Sequence, residues 1–207
     1  MSSLPLWAPD PALDGVEIRV STREGGVSQP PYDSLNLADH VGDQAKSVAE
    51  NRRLLADVLP GDTVCWLHQV HGVRTVEAKE GAVPEADAHW TDARNRPLAV
   101  LTADCLPVVI MAGDATCVGI AHAGWRGLAA GVLESLLSAM PAEPASMTAW
   151  LGPAISATAY EVGPEVRTTF EQQCGEAGGQ CFHPSNRQGH WMADLTALAC
   201  LRLSRAG

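Results

Sequence analysis

A single α+β domain is what this sequence predicts, on three observations. Strand-like and helix-like segments mix without the regular alternation of a parallel βαβ sheet. Leu128, Val132, Leu136 and Met140 repeat on one stripe of a helical segment. No repeat, low-complexity tract or linker divides residues 1–207, a length that supports one full core.

Taken in order, EIRVSTREGGVSQPPYDSLNLADH (17–40) reads as a strand followed by a Gly- and Pro-rich loop. Asp43 is a candidate N-cap for a helix over 44–59, which Pro60-Gly61-Asp62 ends. TVCWLHQVHG (63–72) is rich in β-branched and aromatic residues and predicts a strand. Alternation along that strand would aim His68 and His71 to opposite faces. VRTVEA (73–78) precedes a polar stretch running to Pro97. PLAVLTADCLPVVIMA (97–112) predicts strand, tight loop and strand, with Asp104-Cys105 at the break. CVGIAHAGWRG (117–127) is a strand that delivers His122 to a glycine-flanked turn, and a helix follows over 128–140. AWLGPAI (149–155) predicts a short strand, VGPEVRTTFEQQC (162–174) a helix opened by Gly163-Pro164, and ADLTALACLRLSRAG a final helix capped by Asp194.

Composition narrows the function. Charged residues are 18% of the chain and the formal charge is −10, from 24 acidic and 14 basic residues. No Lys/Arg cluster supplies the basic footprint of a nucleic-acid binder, so no nucleic-acid partner is expected. Small-molecule substrates remain open. The N-terminus lacks a basic segment followed by an apolar one, and no apolar run approaches a membrane span. A cytoplasmic protein without a membrane partner is expected, its six cysteines reduced.

Three residues carry the chemistry. His71 in WLHQVHG, Cys105 in LTADCLPVV and His122 in GIAHAGWRG each stand beside Gly, Asp or Arg at the end of an apolar run. Two imidazoles and one thiolate suit a zinc ion with a fourth position left for water or substrate. Such an ion lowers the pKa of bound water to about 7. Taken singly, a buried Cys is ordinarily a small hydrophobe and a His beside apolar residues is simply hydrogen-bonded. A metal-free Cys–His hydrolase uses the same residues, with Cys105 as nucleophile and His122 or His71 as base, and spacing does not separate the two readings. Asp104 either orients a bound water or accepts a proton, or else caps the turn. Arg126 offers a bidentate fork to an anion beside helix N–H groups, or is a solvated arginine at a glycine turn. Trp125 either stacks on a planar base or packs. Arg23 and Arg52 are further anion candidates, each ordinary as a surface charge. The nucleobase-deaminase HxE and PCxxC pair, the HExxH motif and the GxSxG elbow are all absent.

In order along the chain, STREGGVSQPPYDSLNLADHVGD, ENRRLL, WLHQVHG, ADA, LAVLTADCLPVV, AHAGWRGLAAGVLE, AWLGPAI and YEVGPEVRTTF resemble the YfiH family, also called the multicopper polyphenol oxidase (laccase) domain family. The resemblance covers the chain beyond its first ~15 residues. It implies an α/β/β/α layered sandwich similar to the catalytic domain of cytotoxic necrotizing toxins. It further implies a zinc-dependent purine nucleoside enzyme, acting by phosphorolysis on adenosine, inosine, guanosine and S-methyl-5′-thioadenosine and by deamination on adenosine. The family's metal ligands fall on His71, Cys105 and His122, with purine nucleoside and phosphate as small-molecule partners. Other readings that the resemblance carries are a peptidoglycan-precursor editing hydrolase and a copper-dependent phenol oxidase. A non-catalytic, metal-stabilised binding module is a further alternative. A multicopper site needs many histidines, and this chain has seven with no HxH pair, although one His₂Cys centre also accepts copper. Family members continue beyond the final helix with a Gly- and Cys-containing strand, an FFSYRRDG-like segment and an apolar strand. With the sequence ending at Gly207, a truncated chain is the expectation.

Overall fold

A computed structural model describes residues 4–9, 13–61 and 63–207. Contacts divide the described chain into two compact units, one spanning 1–64 with 94–97 and the other 65–93 with 98–207.

The first unit pairs β1 (Leu6–Trp7) antiparallel to β2 (Val20–Ser21) and carries one long helix, α1 (Ala45–Ala56). The expected strand near 17–21 is thus only two residues long. Its loop is organised by fully buried Asn51, whose Nδ2 donates to Ser28 Oγ at 2.9 Å and to the Asn36 carbonyl at 2.8 Å. The Asn51 Oδ1 accepts the Val27 N–H at 2.8 Å. Asp43 does not cap α1 as expected. The N-cap is Gln44, without a side-chain cap, and Asp43 instead accepts bonds from Ser28 Oγ and Asn36 Nδ2. Those bonds tie the loop together and hold its carboxyl below the ordinary value. Asp62, expected at the end of this helix, lies outside the described residues.

The second unit is built on a five-stranded sheet in the order β3-β4-β6-β5-β7. These strands are β3 (Thr75–Glu77), β4 (Ala88–Thr91), β5 (Leu106–Ala112), β6 (Val118–Ala123) and β7 (Met147–Leu151). Only β3 and β4 run parallel to each other; the remaining pairs are antiparallel. All seven residues of β5 are buried, as the unbroken apolar run LPVVIMA requires of an interior strand. Side chains at Ala88, Val108, Ile110 and Ala121 meet the helices α2 (Trp125–Ala130), α3 (Val132–Ala139) and α6 (Leu195–Ala206) in one core. A smaller antiparallel sheet, β8 (Glu161–Val162), β10 (Trp191–Ala193) and β9 (Phe182–Pro184), adjoins α4 (Pro164–Cys174) and the short α5 (Glu176–Gly179).

Three expectations change. The helix expected over 128–140 starts earlier, at Trp125, and breaks at Gly131, whose φ of 101° ends α2 and begins α3. Its apolar stripe survives the break, because Leu128, Val132, Leu136 and Met140 are all buried. Residues 63–72 are not a strand. They are extended backbone held by isolated bridges, Cys65 to Leu98 and His68 to Glu85, so the first of the two strands predicted within 97–112 also shrinks to one bridge. Finally, the polar stretch before Pro97 contains β4, which its scattered polar residues concealed. Asp194 caps α6 as expected, its carboxylate accepting the Ala197 N–H at 2.9 Å.

Candidate metal centre

The face of the sheet opposite the helices carries the site. Along β6, Ala121 and Ala123 enter the helix-side core, so His122 projects from the other face, opposite Pro107 of β5. Cys105 is the last residue of the turn leading into β5. His71 arrives from the 63–72 segment, in a turn where its own φ is 60°. The ligand atoms of His71, Cys105 and His122 all lie within 4.8 Å of one another, the one such grouping among the described residues. The two imidazole rings meet edge to face with centroids 4.7 Å apart. His122 is buried, Cys105 half-buried and His71 exposed, so the group opens outward at one side.

Asp87 holds this geometry together. Fully buried, it accepts the His122 Nδ1 at 2.9 Å. It also accepts three successive backbone N–H groups: Val70 at 3.1 Å, His71 at 2.9 Å and Gly72 at 2.6 Å. One carboxylate therefore fixes the turn that presents His71 and the ring orientation of His122. With Nδ1–H committed to Asp87, the Nε2 lone pair of His122 is the one left for a metal. Burial acts to raise the Asp87 pKa, but the bonds from His122, Gly72 and Val70 outweigh it and hold the carboxyl below its ordinary value. Burial likewise acts to lower the His122 pKa. The hydrogen bonds to Asp87 and Cys105 overcome it and raise the ring to about 9.

Gly124 makes the close approach possible. A Cβ there would stand 2.8 Å from the Cys105 Sγ and 3.4 Å from the His71 ring. Only a residue without a side chain leaves the sulfur in place. The donor set fits a transition metal: soft sulfur, two imidazole nitrogens, and the carboxylate behind one of them that metal-ligating histidines ordinarily have.

The other expected residues are spread more widely. Arg126 and Trp125 open α2, with the exposed guanidinium 4.6 Å from the Trp125 ring centroid. Asp104 is exposed beside Cys105, and its carbonyl accepts the Ile155 N–H at 2.9 Å. The carboxylate that orients His122 is Asp87. Arg23 and Arg52 belong to the first unit, where each binds its own loop. Arg23 donates to the Asp33 carbonyl at 2.7 Å, and Arg52 donates to the Leu37 carbonyl at 2.9 Å and pairs with Asp39. His68 is exposed, its backbone paired with Pro84 and Ala86. It does not join the group, as the alternation argument expected, but the cause is the turn at His71 rather than a strand's phase.

Two residues of the site escaped sequence reasoning. Asp87 sat unremarked within ADA, because the partners that define its role, Val70, His71, Gly72 and His122, lie 15 to 35 residues away. Tyr160 carried no signal in its spacing. Burial raises its phenol's pKa, the charge on Cys105 and then Asp104 add to the rise, and Arg126 opposes it, so all three lie within electrostatic reach.

A layered α+β protein with a His-Cys-His group at the ends of its central strands is the class that fold and site define. Residues 17–207 match the family described as multi-copper polyphenol oxidoreductase laccase, and the chain belongs to that family. A Pseudomonas aeruginosa relative named as a purine nucleoside phosphorylase is 47% identical over 200 residues, covering 96% of this chain and 82% of the relative. The Escherichia coli K12 protein named purine nucleoside phosphorylase YfiH is 45% identical over 208 residues, covering 99% and 83%. The crystal structure of Neisseria meningitidis protein NMB0706, of family DUF152, superposes with a TM-score of 0.89 at 44% identity, covering 100% of this chain and 84% of that one. Among the described residues no helix is long and apolar enough to cross a membrane.

Proposed function

We propose that this chain is a zinc-dependent cytoplasmic enzyme of purine nucleosides, its two units acting as one catalytic domain. The reactions proposed are phosphorolysis of adenosine, inosine, guanosine and S-methyl-5′-thioadenosine, and deamination of adenosine. The observation that carries this reading is the single carboxylate of Asp87 ordering both His122 and the His71 turn around Cys105. A buried carboxylate aligning two histidines toward a half-buried thiol is costly to build for packing alone. The purine nucleoside phosphorylase names of relatives at 45–47% identity support the substrate class.

His71, Cys105 and His122 would hold the ion, which when bound supplies Lewis acidity and hydroxide at neutral pH. Zinc is favoured over a multicopper centre because the described residues group only one three-donor set. Asp87 keeps the His122 tautomer fixed. Arg126, exposed at the start of α2, would bind phosphate or ribose hydroxyls, and Trp125 beneath it would pack against the base. Asp104, exposed next to Cys105, would exchange a proton with substrate.

A second reading rests on the Cys105 Sγ and a His122 ring nitrogen lying within 4.8 Å of each other. In it Cys105 is the nucleophile and His122 its base, and the substrate is an amide of a cell-wall precursor. Substrate depletion with inosine plus phosphate, adenosine, and a UDP-MurNAc precursor bearing a misplaced serine separates the readings. Consumption of the nucleosides alone, abolished by chelation, is the result expected. Consumption of the precursor alone, unaffected by chelation, would overturn the nucleoside reading.

A further inference from the structure

His71, Cys105 and His122 form a triangle, and two of its sides are closed by bonds already described. Asp87 ties the His71 turn to His122. Strand register ties Cys105 to His122, because β5 begins at the residue after Cys105 and pairs Leu106 with Ala123 and Pro107 with His122. The third side runs from the segment that ends at His71 to the loop that ends at Cys105.

Gln69 closes that side. Its side-chain amide bonds Leu101 twice: Nε2 donates to the Leu101 carbonyl at 2.8 Å, and Oε1 accepts the Leu101 N–H at 2.7 Å. Gln69 precedes His71 by two residues, and Leu101 precedes Cys105 by four. A primary amide carries a donor and an acceptor side by side, so it can stand in for the backbone of a neighbouring strand. Two bonds to one residue fix an orientation as well as a distance.

The side chain is needed here because the backbone is committed elsewhere. Upstream, the two segments pair directly, the Cys65 carbonyl accepting the Ala99 N–H at 3.0 Å beside the Cys65–Leu98 bridge. At His68 the backbone has turned to its other neighbour. Its N–H donates to the Pro84 carbonyl at 2.9 Å, and its carbonyl accepts the Ala86 N–H at 3.1 Å. The N–H groups of Val70, His71 and Gly72 all go to Asp87. Half-buried Gln69 therefore carries the pairing forward to Leu101 just where both segments approach the site.

We infer that Gln69 is a positioning residue of the metal centre, its doubly bonded amide setting the separation of the His71 turn from the Cys105 turn. The inference rests on reading His71, Cys105 and His122 as a metal site. Ligand atoms must converge at about 2.0–2.3 Å from a zinc ion, which leaves little room for two loops to drift. Groups that hold ligands in place contribute about 10- to 100-fold in metal affinity.

Gln69→Met keeps the length of the side chain and removes both bonds. Gln69→Asn keeps the amide but is one methylene too short to reach Leu101 unless the segments move. Each variant of the whole chain, freed of metal, would be titrated with cobalt, whose thiolate charge-transfer and d–d absorption report the Cys105 bond and the coordination geometry. Zinc affinity would follow from chelator competition. In both variants affinity should fall at least tenfold, and at saturating cobalt the thiolate band should weaken or shift. In the metal-free chain the protection of the Leu101 amide against hydrogen exchange should be lost. Gln69→Asn decides by the same criteria if Gln69→Met does not fold. A glutamine that only supports the fold would lower the melting temperature and leave band and affinity at their wild-type values, and that result would overturn the inference alone. A wild-type chain that shows no thiolate band with cobalt would overturn the metal reading and this inference with it.

Discussion

The Asp87 carboxylate accepts the His122 Nδ1 at 2.9 Å while binding three consecutive N–H groups around His71. Two candidate ligands distant in sequence are thereby set by one side chain. Asp87→Asn keeps the shape but turns an acceptor oxygen into a donor. Zinc affinity, measured by chelator competition, should fall 10- to 100-fold, the range found for carboxylates behind metal-bound histidines. Asp87→Ala should in addition destabilise the metal-free fold by about 3 kcal/mol, since it leaves buried donors unpaired. Unchanged affinity in both variants would remove Asp87 from the account.

The same pair sets a pH dependence. In the metal-free protein the His122 pKa is raised from 6.5 to about 9, so its stabilising contribution is complete below pH 6.5 and is lost as pH rises through about 9. Asp87 is lowered from 3.8, so its contribution is present above that value and is lost as pH falls below it. Denaturation of the chelated protein should show stability declining from about pH 7 to pH 10, and His122→Asn should flatten that decline. An equal decline in the variant would place its origin elsewhere.

Gly124 is tested by adding one methyl group. Its φ of −73° suits alanine, so any loss comes from the 2.8 Å approach to the Cys105 Sγ. Gly124→Ala should preserve the fold and lower metal affinity at least tenfold. Wild-type affinity in this variant would show that Cys105 has room to move and that the glycine is incidental.

His68→Ala should keep the bound metal, and His71→Ala should lose it, as read by metal content after gel filtration. Equal loss in both would contradict the placement of His68 outside the group.

What was legible in the sequence follows from how locally each feature is determined. LPVVIMA announces an interior strand, and Asp194 a helix start, because a few adjacent residues decide both. His71, Cys105 and His122 stood out because each stands beside Gly, Asp or Arg at the end of an apolar run. The break at Gly131 was hidden by an apolar stripe that continues across it, and β4 by an unremarkable polar stretch. Asp43 looked like a cap because caps are local, yet its partners Ser28 and Asn36 belong to the preceding loop. Asp87 was missed for the same reason. Its four partners lie 15 to 35 residues away, and no window of sequence contains them together.

The central claim is that a zinc ion on His71, Cys105 and His122 is required for turnover of purine nucleosides. The direct measurement is elemental analysis of the purified protein, paired with inosine phosphorolysis before chelation, after it, and after adding zinc back. About one zinc per chain is expected, with activity lost on chelation and restored by zinc in the wild type but not in Cys105→Ala. Chelation should also speed alkylation of Cys105, since the thiolate is released. A metal-free preparation that turns over inosine at an undiminished rate would contradict the account.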